Sequence, residues 1–127
     1  MKLLLDTHTF LFAIDRPNQL SPRMRRLLAD PQVERWVSAV SLWEIAVKIH
    51  AGKLAMPLDR SYYIENLAAL GARVLPVEFR HSLALLQLPV HHGDPFDRLL
   101  IAQAREEGLT LASRDGAFGA YDVVCIW

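Results

Sequence analysis

The chain opens on Leu3-Leu4-Leu5, a short continuous apolar run that stops at Asp6, which is the pattern of a strand buried on both faces. Thr7 to Ile14 then reads as a helix closed before Pro17. Ser21-Pro22 pairs an N-cap residue with proline at the first helical position and opens a helix through Asp30. Trp36-Val37 forms a second strand. Ser41 is expected to cap a helix running to about Ala51, with Gly52 as its stop. After the loop Lys53 to Pro57, Asp59 opens a helix that reaches Leu70 and ends at Gly71. Arg73 to Val77 is a third strand and Phe79 to Leu86 a short helix. Asp94-Pro95 starts a helix ending near Gly108, Leu109 to Ala112 is a fourth strand, and Val123 to Ile126 a fifth.

Strands alternating with helices predict a three-layer α/β/α domain around a mainly parallel five-stranded sheet. No repeat or linker divides the chain, so residues 1–127 read as one domain. In open parallel sheets ligands bind beyond the carboxyl ends of the strands, which directs attention to the acids placed there.

Composition narrows the picture only slightly. Of the 127 residues 52% are hydrophobic and 22% charged, as in an ordinary compact domain. Fourteen basic residues balance fourteen acidic ones, so net charge gives no direct sign of a nucleic-acid partner, though it leaves room for an acidic pocket with basic flanks. Cys125 is the only cysteine, which excludes an intrachain disulfide and fits a reducing compartment. The first apolar run is too short for a signal-peptide core, and nothing approaches the ~20 apolar residues of a membrane span. A cytoplasmic protein with no membrane partner is expected.

Four carboxylates carry the chemistry, and each has an adequate structural role as well. Asp6 follows the first strand, where an aspartate also serves as a helix N-cap. Glu44 lies in Val40 to Val47, a helix apolar nearly all round; a buried carboxylate there needs a partner, a proton or a metal, unless it sits on a narrow stripe with Lys48 four residues on. Asp97 falls in the first turn after Asp94 and Pro95, where the helix dipole favours an acid. Asp115 begins an Asp-Gly turn after the fourth strand. Together the four point to one edge of a parallel sheet. Crowded carboxylates raise one another's pKa unless a divalent cation neutralises them, and an all-oxygen set suits Mg²⁺ or Mn²⁺ rather than zinc. Such a site positions water and stabilises charge on a phosphodiester.

Four segments, in this order, resemble those of PIN domains, and specifically the VapC-type toxin ribonucleases of bacterial toxin–antitoxin pairs. They are Leu5-Asp6-Thr7-His8, Ser38 to Glu44, Asp94-Pro95-Phe96-Asp97-Arg98 with its apolar continuation to Ala104, and Ser113-Arg114-Asp115. Through this resemblance Asp6, Glu44, Asp97 and Asp115 match the family's acidic quartet, and Thr7 and Ser113 its small hydroxyl positions. Asp94 is an extra acid, a cap first and an outer-shell ligand second. The resemblance implies endoribonuclease activity on RNA, a Mg²⁺ or Mn²⁺ cofactor, a homodimer and a cognate antitoxin. The rival readings are an RNA-processing PIN nuclease outside any toxin pair and a catalytically silent α/β interaction module. A phospho-receiver is disfavoured because Asp6 stands without an acidic neighbour, and an aspartyl phosphatase because His8 stands where a second Asp is needed.

Lys48, Arg98 and Arg114 flank the acids and are candidates for RNA phosphate contacts, whereas Arg23 and Arg25 read as a solvated helix face. His91-His92 lacks a second His or Cys pair with zinc spacing and is placed at the rim of the site. Phe10, Leu11, Phe12 and Ile14 make the first helix apolar on more than one face; core packing is the default reading, and the sharper one is an uncovered patch, shared with the Trp43 helix, for an antitoxin or a second copy.

Overall fold

A computed structural model describes residues 1–127. Five strands, β1 (Lys2–Leu5), β2 (Glu34–Ser38), β3 (Ala72–Leu75), β4 (Thr110–Ala112) and β5 (Cys125–Ile126), form one sheet in the order β3-β2-β1-β4-β5. Every pairing is parallel. Six helices accompany them: α1 (Thr7–Asp15), α2 (Pro22–Ala29), α3 (Ala39–His50), α4 (Arg60–Leu70), α5 (Phe79–Leu85) and α6 (Pro95–Glu107). None is long and apolar enough to cross a membrane.

The central strand explains the layering. Successive side chains of a strand point to opposite faces, and β1 follows that rule with Leu3 and Leu5 in one core and Leu4 in the other. The first core is closed by Phe10, Phe12 and Met24 of α1 and α2 together with Ile45 of α3 and Tyr63 of α4. The second is closed by Leu100, Ile101 and Ala104 of α6, with Val40 of α3 and Phe118. Helix α3 therefore reaches both layers, Val40 on one side and Ile45 on the other.

Local chemistry sets most boundaries. Asp6, Ser21, Asp59 and Asp94 each accept an amide hydrogen bond at the start of α1, α2, α4 and α6. Gly71 and Gly108 end α4 and α6 with φ of +67° and +65°, the left-handed region that L side chains avoid.

Four expectations from the sequence need correction. Ser38, not Ser41, caps α3: its hydroxyl accepts the Val40 amide at 3.1 Å, because β2 continues to Ser38 before the chain turns. Ser41 is buried one turn further on. β3 stops at Leu75, since Pro76 has no amide for the ladder. The Asp-Gly turn expected after β4 extends further than a simple turn, as a 3₁₀ helix over Gly116–Ala120. Finally, α1 offers no apolar patch: Phe10, Leu11 and Phe12 are buried and Ile14 half-buried, because the sheet, α3 and α4 cover the helix from several sides.

A buried polar chain ties α3 to α6. The Ser38 hydroxyl donates to Gln103 Oε1, and Gln103 Nε2 donates to the Pro76 carbonyl at 3.2 Å and lies 3.3 Å from His81 Nδ1. No buried side-chain N or O lacks a partner, so this network costs little desolvation and fixes the two helices in register.

Gly108→Ala tests the turn between α6 and β4. A Cβ there meets no atom within 4 Å, so the penalty is backbone strain alone, about 1–2 kcal/mol. Urea denaturation should show a lower midpoint with an unchanged slope.

Candidate active site

The strand order reverses at β1, whose neighbours β2 and β4 lead to opposite edges of the sheet, and the acids gather beyond the carboxyl ends of β1 and β4. Asp6 is pinned there by its backbone: its amide donates to the Ala112 carbonyl at 3.1 Å, and the Thr9 hydroxyl donates to the same carbonyl at 2.9 Å. Its Oδ1 accepts the Thr9 amide at 2.8 Å, so the capping role and a place at the site coexist in one residue.

Asp115 stands opposite, just past β4. Its amide donates to Ser113 Oγ at 3.0 Å and its Oδ1 accepts the Ala117 amide at 2.9 Å, which makes it the cap of the 3₁₀ turn. Asp97 enters on the first turn of α6, where Asp94 Oδ1 accepts the amides of Phe96 and Asp97 at 2.8 and 3.1 Å. Asp94 thus acts as a cap.

Glu44 is buried, and both of its oxygens are held. Thr7 Oγ1 lies 2.6 Å from Oε1 and 3.0 Å from Ser41 Oγ. A hydroxyl has one proton; the carboxylate takes that of Thr7, and Ser41 donates to Thr7 in turn. Lys48 Nζ binds Oε2. The pairing with Lys48 is real, but on a buried carboxylate rather than a surface stripe.

His92 is the residue the sequence underrated. The sequence places it at the rim; its Nε2 lies 3.3 Å from Asp97 Oδ2 and 3.8 Å from Asp115 Oδ2, and one ligand atom from each of the three residues falls within 4.8 Å of the others. That grouping has the spacing of a metal site. However, His92 Nδ1 accepts the Asp94 amide at 3.1 Å, so in the neutral ring Nε2 carries the proton and faces the carboxylates as a donor. As arranged, His92 Nε2 stands beside both carboxylates, with its proton rather than a free lone pair toward them. Its loop is held by Tyr121, whose hydroxyl accepts the amides of His91 and His92 at 3.1 and 2.9 Å. Nothing in the sequence singled out Tyr121.

The basic residues divide. Arg98, expected to meet RNA, has its guanidinium committed to the carbonyls of Pro89 and Leu88 at 2.9 and 3.2 Å, where it braces the His91-His92 loop. Lys48 has Glu44 as its first partner. Arg114 is exposed beside Asp115, with its guanidinium 4.8 Å from the centroid of the Phe12 ring.

The electrostatics identify Asp97 as the focus. Burial, followed by the negative charges of Asp94, Glu44 and Asp6, pushes its carboxyl up to about 7, with His92 opposing. For Lys48, burial would lower the ammonium, but the hydrogen bond to Glu44 and the charges of Glu44, Asp94 and Asp97 outweigh it and raise it. The pocket therefore holds more negative charge than its own cations offset. An oxygen donor set with uncompensated charge is what a hard divalent cation such as Mg²⁺ or Mn²⁺ requires, so the residues present fit one.

A family model described as the PIN domain matches residues 3–124. The chain belongs to the PIN-domain family. Among solved structures, the PIN fold here is similar to a chain of VapBC2 from Rickettsia felis bound to a promoter DNA fragment, with a TM-score of 0.72, 14% identity, and 99% of this chain and 98% of that one covered. It is also similar to FitAcB from Neisseria gonorrhoeae, with a TM-score of 0.63, 25% identity and coverage of 98% and 96%. VapBC-5 from Mycobacterium tuberculosis gives a TM-score of 0.63 at 23% identity, covering 98% and 97%. No curated protein matches the sequence significantly.

The raised Asp97 gives a pH test. Its folded pKa lies above its unfolded value, so the native PIN domain binds more protons than the unfolded chain from about pH 4 to about pH 7. In EDTA, stability attributable to this group should fall as pH rises through that window and level off above it. Asp97→Asn should remove that fall and leave the metal-free protein more stable than wild type at pH 8, as read by thermal denaturation across pH.

Proposed function

We propose that this chain is a Mg²⁺- or Mn²⁺-dependent endoribonuclease, the toxin of a toxin–antitoxin pair acting on RNA in the cytoplasm. The observation that carries the reading is the uncompensated negative charge focused on Asp97 at the topological switch of a PIN fold. The resemblance of the acidic segments to VapC-type toxins and the likeness of the fold to chains from VapBC complexes support it.

On this reading Asp6, Glu44, Asp97 and Asp115 hold the ion. When bound, it supplies a water of lowered pKa and stabilises charge on the attacked phosphate. The protein's part is placement. Thr7 and Lys48 hold the buried Glu44 carboxyl in a fixed orientation. Asp6 is fixed through its backbone to β4, and Ser113 fixes Asp115 through its amide. Asp115 is exposed and faces the approaching strand, while Asp97 is recessed. The amide hydrogen bonds that Asp94 accepts from Asp97 and that Asp115 makes with Ser113 and Ala117 hold both residues in place, so that little reorganisation is needed when charge develops.

The partner reading follows from the surface. A hollow of about 380 Å³ between α3 and α4 is lined by Leu42, Ala46, Ile49, Leu58, Ile64 and Leu67 among others, nearly all apolar. An antitoxin segment with apolar anchors at helical spacing fits it. This replaces α1 with the far side of α3 as the antitoxin surface. Phe79, Leu83 and Leu86 form a separate exposed stripe along α5, the surface this reading assigns to a second copy in a homodimer.

The test of function is cleavage of single-stranded RNA in Mg²⁺ or Mn²⁺. Wild type should cut and EDTA should stop it. Asp97→Asn should lower the rate on the order of 10²–10³-fold, the scale for removing one electrostatic stabiliser of a transition state. Equal traces from both proteins, or RNA left intact by both, would reject the reading.

The groove makes a separate prediction. Ile64→Arg places a charge in its apolar wall at an exposed position. RNA cleavage should continue, while affinity for the cognate antitoxin should fall by about 2 kcal/mol or more, measured by calorimetry.

A further inference from the structure

Two hollows border the acidic centre, and they differ in chemistry. One, of about 370 Å³, opens between Asp6 and Asp115 and is walled by His8, Phe12, Arg114 and Trp127. The other, of about 330 Å³, begins at Thr7 and Lys48, the two partners of Glu44, and contains Arg16 and Lys53. His8, exposed on α1, borders both. The first hollow holds the aromatic surface and the second most of the positive charge.

We propose that the first hollow is a nucleobase subsite and the second a backbone phosphate subsite, so that a single RNA strand crosses the acidic centre with one flanking base seated against Arg114 and Trp127. The inference rests on the ribonuclease reading and names how its substrate is held. The volume lies at the lower end of the ~300–1,000 Å³ range of small-molecule pockets, suited to one base rather than a folded RNA element.

The walls are built for stacking. Arg114 lies over the Phe12 ring at 4.8 Å, and Trp127 meets the same ring edge-on at 6.4 Å with an interplanar angle of 63°. Phe12 is buried, so it serves as a backing plate beneath the exposed guanidinium. Unpaired RNA bases stack on aromatic rings and on arginine planes, which desolvate cheaply. Asp6 and Asp115 at the mouth place such a base next to the phosphate that meets the acidic centre.

The second hollow has no exposed aromatic ring except His8. Lys48 is already committed to Glu44 and Arg16 lies 3.6 Å from Asp15, which leaves Lys53 as the cation to meet a neighbouring phosphate. Base contacts discriminate between sequences, whereas phosphate contacts act alike on all of them. The two hollows therefore divide specificity from affinity.

Abasic scanning separates these roles. Asp97→Asn protein, which spares the RNA, is titrated in Mg²⁺ with a single-stranded oligonucleotide carrying one abasic nucleotide at successive positions. Removing the base at one position beside the scissile phosphate should weaken binding about tenfold, within the range for one stacked base. Arg114→Ala and Trp127→Phe on that background should each shrink that penalty. Lys53→Ala should weaken every oligonucleotide equally and reduce the salt slope by about one. Arg114 is exposed, so its variant keeps the test valid if a Trp127 change disturbs folding. Wild-type cleavage with no position sensitive to base removal overturns the subsite and leaves the ribonuclease reading standing. A base penalty that Arg114→Ala leaves untouched also overturns it. Failure of wild type to cleave any RNA overturns both.

Discussion

Repulsion among carboxylates held at one sheet edge is the constraint around which this molecule is arranged. Like charges brought together in a partly buried pocket raise one another's pKa and oppose folding, and the scaffold answers each in a different way. Glu44 is neutralised by Lys48 and hydrogen-bonded by Thr7. Asp6, Asp94 and Asp115 are placed where free amides at helix or turn N-termini welcome negative charge. Asp97 receives the remainder, with His92 beside it and the charge of Lys48 offsetting only part of it. The residual charge is thus concentrated at one atom group. Any cation that binds the native state and not the unfolded chain is rewarded with that unspent repulsion.

Much of this was legible in the sequence because the relevant signals are local. Short apolar runs ending at Asp6 and at Ser113, aspartates followed by proline or glycine, and glycines after helices are all read within a few residues of chain. The capping and charge-bearing roles of the same aspartates were both visible, and the structure shows that they do not compete: one oxygen or the backbone does the structural work and the carboxylate still faces the site. The choice between Ser38 and Ser41 as the cap of α3 depended on how far β2 pairs with β3, which no local pattern encodes.

What escaped the sequence is long-range. The apolar faces of α1 looked unpartnered because periodicity cannot say which other helices will land on them. Arg98 resembled an RNA contact because it neighbours Asp97, yet its donors reach back to Pro89 and Leu88. His92 was discounted for want of zinc spacing, although its value lies in a single ring whose two nitrogens face different partners. The balanced net charge concealed a segregated surface in which acids fill the centre and Arg16, Lys53 and Arg114 lie around it.

The joint between β1 and β4 has a consequence for how such a chain is made. The Thr9 hydroxyl meets the Ala112 carbonyl 103 residues away, and β1, though synthesised first, must wait at the middle of the sheet for a neighbour on that side. Contacts of that separation form late. Until β4 has joined the sheet, β1 is unpaired on that side and Asp6 lacks the Ala112 carbonyl that fixes its backbone. The acidic residues therefore reach their places in one late step, when β4 docks on β1, rather than one by one along the chain.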